Sequence, residues 1–178
     1  MKHQLYFAIL LVSFSLYSQD EKTNGLFYKI SIASTLAINE EYTLVEDDSG
    51  PLINLSALFV NNTIGYQMDS RTAIGFNAEY NWQHKQGLHF LPMYMNIRYN
   101  IIEDDDNVFI RAGYGKLLKL GNDFERGTLY KLGAGYQIFD DNFRNSWLIG
   151  LDFSRKRFGY RETEKITSVG IFLEFMLF

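Results

Sequence analysis

The sequence predicts an all-β fold: an eight-stranded, antiparallel, up-and-down barrel that crosses a membrane, behind a cleavable leader. Three observations carry this. Eight segments alternate apolar and other residues with a period of two, which is the period of a pleated strand. The apolar rows are rich in Tyr, Phe, Ile and Leu, whereas the intervening rows hold Gly, Asn, Gln and charged residues. A water-soluble barrel would put oil inside. Here the inward candidates are polar or bare, which suits a barrel whose outer solvent is lipid.

The clearest strand pair runs from Thr63 to Trp82. Ile64, Tyr66 and Met68 alternate with Thr63, Gly65 and Gln67. After a bend at Asp69-Ser70-Arg71, Ile74, Phe76, Ala78, Tyr80 and Trp82 alternate with Gly75, Asn77, Glu79 and Asn81.

The other elements follow in order. Residues 1–18 read as a secretory signal, with Lys2 and His3 before the apolar run Leu5–Phe14, leaving a barrel at 19–178. That run is too short to span a bilayer as a helix. Strand one is Leu26–Ile38, with Lys29, Ser31, Ala33 and Thr35 opposite Tyr28, Ile30 and Ile32. An acidic loop, 39–51, follows. Strand two runs Leu52–Met68, with a bulge expected at Asn61-Asn62. Strand three is Thr72–Trp82. Strand four is Leu88–Ile101, where Pro92 lacks an amide hydrogen and belongs near a rim or at a bulge. Strands five to eight run Val108–Leu118, Thr128–Phe139, Ser146–Arg157 and Ile166–Phe178. An open sheet edge in lipid would strand unpaired amides, so the sheet must close. An even strand number puts both termini on one side, periplasmic after export, with loops 39–51, 83–88, 119–127 and 158–165 facing outside.

Composition excludes several functions. The 178 residues carry a net charge of −4 and no basic stripe, so nucleic acid is not an expected partner. Cysteine is absent, which removes disulfides, thiolate metal sites and a Cys nucleophile.

The chain resembles the small eight-stranded outer-membrane barrels of Gram-negative bacteria, the group similar to the OmpA membrane domain and OmpX-like proteins. The signal at 1–18, the eight alternating strands and the aromatic ending Glu174-Phe175-Met176-Leu177-Phe178 carry the resemblance. It implies a monomer surrounded by outer-membrane lipids and handled by export and barrel-assembly machinery, with loops free to meet an extracellular ligand. One detail departs from the group: Phe178 falls in register with Glu174 and Gly170, so either it lies past the strand or a bulge shifts the phase.

An eight-stranded lumen is just wide enough for side chains to fill. Its expected charge network is Lys29, Glu79, Arg98, Arg111, Lys131, Asp152 and Glu174, with Lys156 as a further cation. Glu174 should meet Lys29 at the closing seam, and Asp152 should meet Lys131. Tyr28, Tyr66, Tyr80, Trp82, Tyr99, Tyr114, Tyr136 and Trp147 lie on the apolar rows and read as lipid-interface aromatics. No catalytic residue, cofactor or metal is expected. Two alternatives remain. A lipid-modifying enzyme of deacylase or acyltransferase type would use His84 or His89, and needs an acid and a hydroxyl beside one of them. A soluble lipocalin-like ligand-binding barrel needs the apolar rows to point inward.

Overall fold

In a computed structural model the described residues are 24–38, 53–83, 87–104, 106–121, 123–140 and 144–178. The signal segment, the acidic loop and His84 lie outside them. Nine strand segments form the wall: β1 (Gly25–Ile38), β2 (Ile53–Gln67), β3 (Thr72–Gln83), β4 (Leu88–Phe90), β5 (Pro92–Glu103), β6 (Asn107–Leu117), β7 (Gly127–Phe139), β8 (Asn145–Phe158) and β9 (Glu164–Leu177). β4 and β5 are one stave, interrupted at Leu91. The register passes through unbroken, from Asn81 opposite Phe90 to Ala78 opposite Met93. Pro92 explains the gap, since it has no N–H to give β3. On its other side it pairs with Leu117, the last residue of β6, which places it near the rim.

Each stave pairs antiparallel with the next, and β1 pairs with β9 from Tyr28–Leu177 to Ala37–Ser168, which closes the barrel. Apart from β4, the segments are 11 to 15 residues long. That covers the roughly 9–11 tilted residues needed to cross hydrocarbon, with some to spare at the rims.

Side-chain direction follows the sequence pattern. Ile64, Phe76, Ile97, Leu132, Ile149, Leu151, Phe153 and Ile171 are exposed on the outside, whereas Glu79, Arg111, Lys131, Asp152 and Glu174 are buried inside. The lipocalin-like alternative fails on this point, because its required inward rows are the outward ones.

Three details differ from the expectation or settle it. The bulge is not at Asn61-Asn62, which stay in register with Ser31 and Ile30; the shift lies between Thr35 and Leu36, opposite 55–57. The two asparagines serve different faces instead. Asn61 is buried in the lumen, while the side-chain oxygen of Asn62 accepts from the Tyr28 hydroxyl at 2.7 Å. A second shift, between Asn100 and Ile102 on β5, leaves Ile101 and Ile102 both exposed. Phe178 sits one residue past β9, without any register shift in that strand. Its amide donates to the Arg144 carbonyl at 3.1 Å, and its ring packs edge-on against Phe27 at 6.1 Å.

The bend between β2 and β3 is an Asx turn. The Asp69 carboxylate accepts from the backbone amides of Arg71 and Thr72, which lowers its pKa below the ordinary carboxylate value, and Met68 N–H bonds the Thr72 carbonyl at 2.8 Å.

Inside, two apolar clusters bracket a charged middle. Phe27, Phe109, Leu148, Phe172 and Met176 fill the end nearer the short turns, with Phe178 against them. Phe90, Leu117, Leu129, Phe158 and Ile166 fill the opposite end. Gly150 makes the first cluster possible. A Cβ there would stand 2.2 Å from the Ala134 carbonyl oxygen, 2.6 Å from Gly135 Cα and 2.7 Å from the Phe172 ring. Two of these are backbone atoms that cannot swing away. Gly150→Ala is therefore expected to cost about 1–3 kcal/mol, the usual cost of overpacking. Gly170→Ala, whose nearest atom is the Thr35 methyl at 3.0 Å, should cost less. Urea unfolding midpoints of the two variants in lipid vesicles check the order.

Candidate functional site: the charged barrel interior

Alternation alone puts Lys29, Glu79, Arg98, Arg111, Lys131, Asp152, Lys156 and Glu174 inside, because each stands on the inward row of its strand. Six of them form one chain of alternating sign. Lys29 Nζ donates to Glu174 Oε2 at 2.8 Å. Arg111 Nη1 donates to Glu174 Oε1 at 2.7 Å. The same guanidinium grips Asp152 with two bonds, Nε to Oδ1 at 2.8 Å and Nη2 to Oδ2 at 2.6 Å. Asp152 Oδ2 also lies 3.2 Å from Lys131 Nζ, which reaches Glu79 Oε2 at 2.8 Å. The Tyr94 hydroxyl closes the series, donating to Glu79 Oε2 at 2.9 Å. Lys29–Glu174 and Lys131–Asp152 are the two pairs that strand register anticipates.

Arg111 is the hub, and register does not reveal it. It stands on β6, yet its carboxylate partners are on β8 and β9, beyond the intervening β7. Gly133 is the reason it can cross. A Cβ there would fall 2.1 Å from Asp152 Oδ1 and 3.1 Å from Arg111 Nε. The guanidinium also lies over the Phe172 ring, 3.8 Å from its centroid. A planar, five-donor group suits a bidentate carboxylate and an aromatic face together; a lysine would not.

The chain balances three cations with three carboxylates. Arg98 and Lys156 stand apart from it. Arg98 donates to Gln67 Oε1 at 2.7 Å and lies 5.5 Å from the Phe109 ring centroid. Lys156 Nζ sits 4.3 Å from the Phe59 centroid and 5.7 Å from that of Phe90. Ring faces attract both cations where carboxylates do not reach them. Beside the charges runs an amide layer that sequence reasoning missed. Thr63 Oγ1 and Asn61 Nδ2 donate to Asn77 Oδ1, at 2.7 and 3.1 Å. Its only signal was Asn and Thr on inward rows.

The cavity beside Tyr94, Asn96, Arg111 and Lys131 is about 10 Å³, enough for at most one water.

On the outside, all eight aromatics named above are exposed. Register sorts them into two levels. Tyr28, Tyr66, Tyr99, Tyr136 and Trp147 lie toward the short-turn end, and Tyr80, Trp82 and Tyr114 toward the other. The Tyr136 hydroxyl donates to Asp106 at 2.8 Å in the turn below it.

The described histidine, His89, is half-buried on the outer face. Its Nδ1 lies 2.8 Å from the Tyr80 hydroxyl, its ring stacks on Tyr80 at 5.9 Å, and Phe124 flanks it at 6.1 Å. It therefore has a hydroxyl but no carboxylate beside it among the described residues. Ser154 is buried on the lumen side of β8. Among the described residues, no group of three His, Asp or Glu side chains converges as a metal would need.

A closed, antiparallel, eight-stranded wall with apolar side chains outside and ion pairs within defines a transmembrane-type β-barrel. The fold is that of the small eight-stranded outer-membrane barrels. Neisserial surface protein A resembles it with a TM-score of 0.55, at 9% identity over 85% of this chain and 96% of that one. The N-terminal β-barrel domain of Pseudomonas aeruginosa OprF resembles it with a TM-score of 0.50, at 13% identity over 86% of this chain and 99% of that one. At such identities the likeness is one of fold. No protein-family model matches the chain. No curated protein sequence matches it either.

Truncating the hub should be severe. Arg111→Leu takes both bonds from Asp152, which keeps only Lys131 at 3.2 Å, and leaves Glu174 with Lys29 alone, at a cost of roughly 3–5 kcal/mol. Arg111→Leu combined with Asp152→Leu should recover much of that loss, since the pairs Lys29–Glu174 and Lys131–Glu79 then remain balanced. Unfolding free energies of the single and double variants, measured in the same vesicles, check both statements.

Proposed function

We propose that the mature chain is a monomeric integral protein of the Gram-negative outer membrane, without enzymatic activity and closed to bulk solute. It acts through its outer loops or by its presence in the membrane. The observation that carries this reading is the inverted partition: exposed Ile, Leu and Phe rows outside, and a neutral ion-pair chain between two apolar plugs inside. In water the outer rows would be a large exposed apolar surface, which soluble monomers avoid. In acyl chains they are solvated, and the two levels of Tyr and Trp fall where the headgroups begin.

A leader at 1–18 would deliver the chain across the inner membrane. Both termini would then be periplasmic, and the β1–β2, β3–β4, β6–β7 and β8–β9 connections would face outside. Outer-membrane lipids and the export and assembly machineries are its proposed partners, with an extracellular ligand of the loops as a further one. The enzyme alternative has one favourable feature, the Tyr80–His89 contact, and among the described residues no acid stands beside His89 to orient the imidazole.

Two measurements test this. The folded chain should run faster than the boiled chain on a detergent gel and resist alkaline extraction from membranes. Reconstituted vesicles should show no more uptake of a disaccharide or chloride than empty ones. Uptake comparable to that of an open porin would contradict a closed lumen. A changed lipid profile on deleting the gene, reversed by wild type but not by His89→Ala, would contradict the non-enzymatic reading.

A further inference from the structure

On β8 the outward row changes character abruptly. It reads Trp147, Ile149, Leu151, Phe153, and then Arg155 and Arg157. Arg157 pairs in register with Lys165 on β9, and the short helical turn Tyr160–Glu162 between these strands adds Arg161. These side chains line an open concavity of about 370 Å³, with Tyr130 of β7 as its lower wall. Among the described residues, Arg155 and Arg157 form no ion pair. Glu162 also lines the hollow, but its Oε1 is engaged by the Thr128 hydroxyl at 2.6 Å.

A second hollow begins where the first ends. It is an apolar groove of about 510 Å³ on the outer wall, formed by Ile74, Met95, Ile97, Ala112, Tyr114 and Leu132, and it too is bounded by Tyr130. Ala112 gives it depth, being small between the larger Ile97 and Leu132 that flank it in register. Tyr114 and Tyr130 lie 5.2 Å apart between the two hollows. Basic recess, paired tyrosines and apolar groove thus form one path, in the order that headgroup, interface and acyl chain take in a membrane.

The geometry points to a binding site for a single phosphorylated lipid on the β5–β8 wall. Its phosphate would sit between Arg155 and Arg157, and one acyl chain would lie along the groove over Ala112. Arginine suits phosphate because its fork can give two parallel charge-assisted bonds. The groove commits the site to a lipid rather than a free anion, since inorganic phosphate has nothing to place in it. The opposite side of the outer rim has no such cluster among the described residues: Tyr80, Trp82 and His89 stand there instead.

This inference rests on the membrane-barrel reading, and the experiment separates the two. The mature chain is folded into detergent micelles, and gel mobility confirms the barrel. It is then offered phosphatidic acid, phosphatidylcholine or diacylglycerol, and retained lipid is counted by native mass spectrometry. Wild type should keep one phosphatidic acid in preference to the other two. Arg155→Gln with Arg157→Gln should lower that retention about tenfold. Ala112→Trp should also lower it, by filling the groove, whereas Arg144→Gln at the opposite rim should not. Retention unchanged in the double variant, or equally reduced by Arg144→Gln, would overturn the site. Displacement by millimolar inorganic phosphate together with indifference to Ala112→Trp would show a free-anion site and overturn the lipid assignment. A chain that never attains the heat-modifiable fold in detergent would instead refute the membrane reading beneath it.

Discussion

A strand whose outer face is given to acyl chains has only its inner face for polar groups, and that rule shapes this barrel. Every peptide unit at membrane depth needs its hydrogen bonds within the sheet, because hydrocarbon offers none. Closure by the β1–β9 seam meets that need. It also creates a narrow interior lined by buried side chains. Each charge placed there must find a partner or a ring face, since an isolated one would cost several kcal/mol. The alternating series from Lys29 to Glu79 is the outcome, and Arg111 holds it together by binding two carboxylates at once.

This arrangement explains features that look unrelated. Glycine at 133 and 150 leaves space for Arg111, Asp152 and Phe172 to occupy the same level. The apolar clusters at the two ends shield the ion pairs from water, which strengthens each attraction. Arg98 and Lys156, which exceed the available carboxylates, lie against Phe109 and against Phe59 and Phe90. Only the chain from Lys29 to Glu79, three cations against three carboxylates, is balanced by ion pairs.

Much of the wall was legible in the sequence, because period-two alternation is a local property. It gave the inward and outward rows of Thr63–Trp82 and of β6 to β9 correctly, and the Asp69 bend between them. Pairs on adjacent strands, Lys29–Glu174 and Lys131–Asp152, followed from register. What escaped were contacts that cross the lumen or depend on local irregularity. The reach of Arg111 past β7, and of Tyr94 to Glu79, depends on how the barrel curves. The bulge at Thr35–Leu36 has no turn residue to announce it, whereas Asn61-Asn62 looked like one and is regular. The basic recess above Phe153 is not visible in the pattern, because Arg157 stands at a strand end and Arg161 and Lys165 fall in the loop expected at 158–165.

The account stands on which solvent touches the outer rows, and the absence of cysteine makes that directly measurable. Single spin labels placed at 149, 151, 153 and 154 of the vesicle-embedded protein report collision with oxygen, which partitions into lipid, and with a water-soluble nickel complex. Labels at 149, 151 and 153 should meet oxygen freely and nickel scarcely, whereas the label at 154 should be immobile and reached by neither. High nickel collision at 149, 151 and 153 would place that face in water and contradict the account.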